Sequence, residues 1–153
     1  MKFLATAELG RLCKWLRILG YDCEYCATPV EENLTSLKIR SLQEDRVILT
    51  RNVRFGKRSG YKVVRVESDF VEDQLKGVLE DLELKIDEDA MFTRCTLCNL
   101  VLEHIDKEGA EGKVPQFVYE TNADFVKCAK CGRIYWHGSH WGNAKEYIYG
   151  IRS

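Results

Sequence analysis

Two Cys-x-x-Cys pairs, Cys95-Thr-Leu-Cys98 and Cys128-Ala-Lys-Cys131, stand 29 residues apart. Each pair can wrap a backbone knuckle around one metal ion, and together they supply four thiolates, a closed tetrahedral set for structural Zn²⁺. Four thiolates leave no open coordination position, so this metal holds a small domain together and does no chemistry itself. Chemistry has to come from oxygen ligands elsewhere. Glu8, Glu31, Glu32, Glu67 and Asp69 each fall shortly after a predicted strand, in the company of Thr6, Thr50, Arg51 and Asn52. Carboxylates gathered at one rim suit Mg²⁺ or Mn²⁺, hard ions that activate water on phosphodiesters. The same carboxylates also suit first helical turns, where the helix dipole favours negative charge, and Glu31 completes a capping box.

The elements that would carry these residues can be read from hydrophobic periodicity. Residues 2 to 6 form an apolar first strand, and Leu9, Leu12, Cys13, Leu16 and Leu19 recur at helical spacing until Gly20 ends the helix. Asp22 to Cys26 predicts a second strand. Thr28-Pro29-Val30-Glu31 predicts a helix start with Pro29 at the first helical position, and the helix continues through Leu34, Leu37 and Leu42. Arg46 to Thr50 and Tyr61 to Val66 predict two more strands, and Ser68 caps a helix bearing Val71, Leu75, Val78, Leu79 and Leu82. Alternating strands and helices imply an α/β fold with a mainly parallel sheet, whose ligands gather outside the carboxyl ends of the strands. That rim receives Thr6, Glu8, Glu31, Glu32, Thr50, Arg51, Asn52, Glu67 and Asp69. Asp22 begins its strand and falls at the opposite end.

Of 153 residues, 45% are hydrophobic and 31% charged, and no apolar run approaches the roughly 20 residues that cross a bilayer. The expectation is a protein with no membrane span. Met1-Lys2 leads straight into Phe3-Leu4-Ala5, so a cytoplasmic protein with reduced cysteines is expected. Residues 1 to 90 hold 15 Lys/Arg and 17 Asp/Glu, and residues 91 to 153 hold 8 and 7. Bulk charge therefore draws in no nucleic acid, and any such surface is local. One stretch qualifies. Arg46, Arg51, Arg54, Lys57, Arg58, Lys62 and Arg65 occur with no acidic residue among them, alongside Phe55 and Tyr61, a composition suited to phosphate contacts and base stacking as well as to a solvated loop. Arg11, Lys14 and Arg17 give the first helix a basic outer side, again either a solvated face or a binding surface. The third pair, Cys23-Glu-Tyr-Cys26, lies within a strand and points to opposite faces, which argues against thiol redox work. An acidic run from Glu80 to Asp89 predicts a solvated linker, dividing the chain into an α/β domain over 1–88 and a four-cysteine zinc ribbon over 91–153. Beyond the second knuckle, Tyr135, Trp136, His137, His140 and Trp141 offer aromatic surface for stacking on nucleobases or for packing against the neighbouring domain.

With these residues in view the chain resembles the Mut-seven-type C-terminal RNase domain family, a PIN-like nuclease fold with a zinc ribbon attached. The resemblance runs through Leu9-Gly10-Arg11-Leu12, Trp15-Leu16-Arg17, Leu19-Gly20-Tyr21-Asp22, Ile48-Leu49-Thr50-Arg51, the cysteine knuckles, and Tyr135-Trp136 through Gly138-Ser139-His140-Trp141. It implies RNA as partner and metal-dependent RNA cleavage by carboxylates at the sheet rim. Two positions depart from the family pattern, with Thr6 and Asn52 standing where aspartates are usual, while Glu31 or Glu32 and Asp69 match acidic positions that remain. The reading that follows is a ribonuclease in which Glu8, Glu32 and Asp69, with Thr6 and Asn52 as neutral ligands, hold Mg²⁺ or Mn²⁺, and Arg11, Arg17, Arg51, Arg54, Lys57 and Arg58 hold the strand. An RNA-binding module that no longer cleaves, and a zinc-ribbon scaffold for proteins, are the alternatives.

Overall fold

The computed structural model describes residues 1–52, 55 and 60–152, without the side chains of Glu31, Ser139, His140 and Arg152. Arg54, Lys57 and Arg58 of the basic stretch lie outside the described residues, as do the side chains of Glu31 and His140.

Four strands form the main sheet: β1 (Lys2–Ala5), β2 (Asp22–Tyr25), β3 (Arg46–Thr50) and β4 (Val63–Arg65), in the order β2-β1-β3-β4. All three pairings are parallel, with Phe3 opposite Cys23 on one side and Val47 on the other. This is the expected PIN-like α/β arrangement. Because side chains alternate along a strand, Phe3, Ala5, Val47 and Leu49 enter one core, while Leu4 and Ile48 enter the other. Helix α1 (Gly10–Ile18) and helix α3 (Val71–Asp81) cover the first face, and α2 (Val30–Glu44) covers the second through Val30 and Leu37. A single 3-10 turn, Ala7–Leu9, joins β1 to α1.

Gly20 ends α1 as expected, and the geometry shows why glycine is needed. Its φ is 92°, the Gly20 amide bonds the Arg17 carbonyl, and the Tyr21 amide bonds the Leu16 carbonyl, the paired pattern of a Schellman motif. Other local expectations need correction. Pro29 is the N-cap of α2, not its first helical residue, and no side chain caps that end, so the capping box at Thr28 does not form. Asn33 leaves helical geometry and kinks α2, and Leu42 is exposed. Ser68 precedes the N-cap of α3, where its hydroxyl accepts from the Phe70 amide at 3.1 Å. Phe55 is buried in the α2 core and meets Tyr61 edge-on, so it is no exposed platform for bases.

The acidic run is not a solvated linker. Glu80 and Asp81 end α3, while Leu84 and Ile86 pack on the main core and the Lys85 carbonyl accepts from the Tyr21 hydroxyl at 2.6 Å. The chain then enters a second, antiparallel sheet of β5 (Glu103–Ile105), β6 (Phe125–Lys127) and β7 (Ile134–Trp136), with short helices α4 (Lys107–Ala110) and α5 (Gln116–Thr121) between β5 and β6. The closing helix α6 (Ser139–Arg152) returns to the first half, where Ala144 and Ile148 are buried in the same core as α1 and α3. Among the described residues, no helix is long and apolar enough to cross a membrane.

Candidate metal centre and sheet rim

The two knuckles fold alike. The Cys95 amide bonds the Leu100 carbonyl and the Asn99 amide bonds the Cys95 carbonyl; at the other knuckle the Cys128 amide bonds the Arg133 carbonyl and the Gly132 amide bonds the Cys128 carbonyl. Asn99 (φ 66°) and Gly132 (φ 76°) occupy the equivalent left-handed positions. Glycine and asparagine are the residues that tolerate this conformation most readily. The result brings the sulfurs of Cys95, Cys98, Cys128 and Cys131 within 4.8 Å of one another. The Cys95 and Cys131 sulfurs are 3.8 Å apart, which matches the edge of about 3.8 Å expected of a tetrahedron with metal–sulfur bonds of about 2.3 Å. The donor set therefore fits a tetrahedral metal. Burial pushes the Cys95 thiol up, but hydrogen bonds from the Tyr135 hydroxyl and the Cys98 and Leu97 amides prevail and lower it to about 6. Cys98 moves the other way, to about 12, through desolvation and its crowded sulfur neighbours.

Asparagine at 99 does more than complete a turn. Its side-chain oxygen accepts from the Cys23 amide at 3.0 Å, and its amide nitrogen donates to Asp22 at 2.7 Å and Glu24 at 3.0 Å. Arg17 makes the matching link from α1, donating to the carbonyls of Cys23 (2.8 Å), Thr96 (3.0 Å) and Leu97 (3.2 Å). It is 8% exposed. Arg17 thus faces inward and fastens the knuckle, whereas Arg11 and Lys14 remain on the exposed side of α1. The position of Arg17 one turn after buried Cys13 is the sequence signal for this. Asn99 carries no such signal, since its partners lie on a strand more than 70 residues away.

At the carboxyl ends of β1 and β3, the Thr6 hydroxyl donates to a Glu8 carboxylate oxygen at 2.6 Å and lies 3.1 Å from the Thr50 hydroxyl. The same Glu8 oxygen accepts from Thr50 at 3.3 Å and from the Arg51 amide at 3.0 Å. Thr6 and Thr50 are fully buried. Burial raises the Glu8 pKa, but the hydrogen bonds from Thr6, the Arg51 amide and Thr50 outweigh it, and the net shift is downward. A cleft of about 490 Å³ opens here between Ala7, Glu8, Pro29, Val30, Arg51 and Asn52. The strand order reverses between β1 and β3, so this cleft sits at the switch point where open α/β sheets bind ligands.

The other rim residues are less closely gathered. Glu32 is exposed on the first turn of α2. Asp69 is held by the Arg51 guanidinium, which also donates to the Glu67 carbonyl at 3.3 Å. Among the described residues, the four cysteines are the one group of three or more metal-donor side chains within mutual reach. The rim oxygens are of the hard type that Mg²⁺ and Mn²⁺ prefer, but Glu8, Glu32 and Asp69 are not drawn together. The basic stretch also thins out: Arg46 is buried at the opposite end of the sheet, paired with Asp22 at 2.7 Å and Glu44 at 2.9 Å. Cys23 is sealed in the core with its thiol pushed well up by Cys13 and burial, and Cys26 meets the Asn33 amide, so these two thiols form no redox pair.

A family model described as Mut7-C RNAse domain matches residues 1–148. The chain belongs to the Mut7-C RNAse domain family. Neither the curated proteins nor the solved structures provide a match. Membership spans both the parallel sheet and the four-cysteine centre, and it points to a nuclease-like role.

Proposed function

We propose that this Mut7-C domain is a metal-dependent ribonuclease acting in RNA processing in the cytoplasm, with its active site in the rim cleft at the switch point. The observation that carries the reading is the Glu8 carboxylate, which lies against the Thr6 hydroxyl where β1 ends. A glutamate two residues further on thereby returns a negative charge to the rim position where the family has an aspartate. Glu8 and Asn52, which line the cleft, would hold a Mg²⁺ or Mn²⁺ ion, with buried Thr6 positioning Glu8, and Glu32 and Asp69 stand further along the rim as additional carboxylates. Such an ion supplies charge stabilisation and a nucleophilic water at neutral pH. Glu8 is suited to the task because its depressed pKa keeps it anionic, and Arg51 and Arg11 offer positive charge to the RNA backbone. Arg54, Lys57 and Arg58 extend that charge along the strand. At the four-cysteine centre we propose Zn²⁺ in a structural role, holding the ribbon of residues 91–153, whose closing helix α6 packs back on the sheet domain of 1–88.

One observation favours a second reading, an RNA-binding protein that no longer cleaves: Arg51 occupies Asp69, and the described carboxylates are not clustered. The Arg51–Asp69 pair is exposed, and such pairs are worth only about 0–1 kcal/mol, so a phosphate or a metal ion can displace it. The experiment is cleavage of single-stranded and hairpin RNA by zinc-loaded protein with Mn²⁺, comparing the natural chain with Glu8→Gln, Asp69→Ala and the double variant Thr6→Asp/Asn52→Asp. Cutting that is lost in Glu8→Gln and Asp69→Ala supports the ribonuclease. Cutting by the double variant alone supports the second reading, and cutting indifferent to Glu8 and Asp69 overturns the site.

A further inference from the structure

A second cleft, of about 540 Å³, lies away from the rim, between the last turns of α1, the ribbon strand β7 and the middle of α6. Its chemistry is unlike that of the rim. Trp15 of α1 stacks on Tyr147 of α6 with ring centroids 4.4 Å apart and planes within 16°, forming one aromatic wall. Tyr135 and Trp136 of β7 also line the cleft, and the Tyr135 hydroxyl lies 3.3 Å from the Cys95 sulfur. Lys14 and Arg133 stand at the mouth, both exposed. Among the described residues neither has an ion-pair partner, and no carboxylate lines the cleft.

An aromatic lining with two cations and no carboxylate suits a flat aromatic ring attached to an anion. We infer that this cleft is a nucleotide subsite, in which an unpaired base of single-stranded RNA stacks on the aromatic lining and its flanking phosphates meet Lys14 and Arg133. The inference rests on the proposal that the protein works on RNA, and it adds a place where the strand is held apart from where it is cut. An adjoining cavity makes the assignment directional. There Phe92, Tyr135 and Trp136 also border a neighbouring cavity lined by Glu88, Asp89 and Asp124, carboxylates that disfavour phosphate, so the strand is expected on the Lys14 and Arg133 side. Arg11 and Lys14, three residues apart on the exposed side of α1, give a cationic track between the two sites. Lys14 is one helical turn, about 6 Å, along α1 from Gly10 at its rim end. The ribbon thereby gains a role besides stability, because β7 supplies part of the subsite's lining and the metal knuckle braces Tyr135.

The test is binding, which does not depend on cleavage. Fluorescein-labelled oligouridylate of about eight nucleotides is titrated by anisotropy without divalent metal, using the zinc-loaded natural chain, Lys14→Glu/Arg133→Glu, and a control with Lys76→Glu/Lys85→Glu on another surface. Both cleft residues are exposed, so the variant should fold, which its far-UV circular dichroism and zinc content verify. The expected result is affinity about tenfold weaker or more in the cleft variant, with a salt slope shallower by about 1.4 for two lost phosphate contacts to a single strand. An abasic ribose-phosphate strand should bind the natural chain about tenfold more weakly than oligouridylate, and should be less affected by Trp136→Ala. If the natural chain binds and the cleft variant matches it in affinity and slope, the subsite is overturned while the RNA reading stands. If the natural chain binds no RNA even at low salt, both fall, and the aromatic cleft is left to a protein partner.

Discussion

Glu8 shows how two buried hydroxyls can fix one carboxylate at the sheet rim. Thr6 and Thr50 are buried hydroxyls that need acceptors, and both find one in the same Glu8 oxygen. Burying a hydroxyl without a partner is unfavourable, so the threonines fix the carboxylate as much as it satisfies them. The folded-state pKa of Glu8 lies below its ordinary value because these donors favour the charged form. The stabilisation is therefore present above the unfolded-state pKa and is lost as pH falls through the folded one. Glu8→Gln should be less stable than the natural chain at neutral pH, and the gap should narrow as the pH falls from neutral to below the ordinary glutamate range. Urea melts at the two pH values measure this. A gap that does not change with pH would mean that the hydroxyls hold the side chain by shape and not by charge.

At the scale of elements, the turn after α1 decides how the two halves of the chain meet. Gly20 adopts φ 92°, and a Cβ added there would lie 2.4 Å from the Ala90 carbonyl oxygen. The same crossing is fixed by the Phe92 amide, which bonds the Ile18 carbonyl at 2.9 Å. Gly20 thus has two separate reasons to be glycine: a left-handed backbone and a backbone segment pressed against it. Gly20→Ala should destabilise the fold by more than the roughly 1 kcal/mol of an ordinary αL substitution, because the 87–92 segment must also move. A thermal midpoint within about 2 °C of the natural chain would show that this crossing relaxes freely. Gly77 is the internal control, since a Cβ there meets nothing within 4 Å, and Gly77→Ala in the middle of α3 should be neutral or stabilising.

Across the whole molecule, the four strands of the main sheet and the cysteine centre were legible because each is written locally, in short apolar runs or in a fixed spacing, whereas β5, β6 and β7 are too short and too half-exposed to announce themselves. The closing helix was not: Gly142 and Gly150 dilute its helical pattern, and Ala144 and Ile148 declare themselves only when α1 and α3 are there to receive them. Arg17 and Asn99 were misread or missed for the same reason, since a basic residue on a helix and an asparagine after a knuckle reveal their partners only in three dimensions. These two residues join the metal centre to the sheet. Arg17 keeps its bond to the Cys23 carbonyl with or without metal, but its other two acceptors, Thr96 and Leu97, belong to the knuckle whose shape a bound metal would hold. Hydrogen bonds from a charged donor are worth about 1.5–3 kcal/mol each, so stripping the metal should weaken the parallel sheet as well as the ribbon. Chelation is thus expected to lower one shared thermal transition, followed alike by far-UV circular dichroism and tryptophan fluorescence. Arg17→Met should shrink the effect of chelation on the sheet while leaving metal content unchanged, because the coupling runs through that guanidinium. Two separate transitions, with the sheet indifferent to chelation in both chains, would instead show that residues 1–88 and 91–153 stand as independent units and that Arg17 only packs between them.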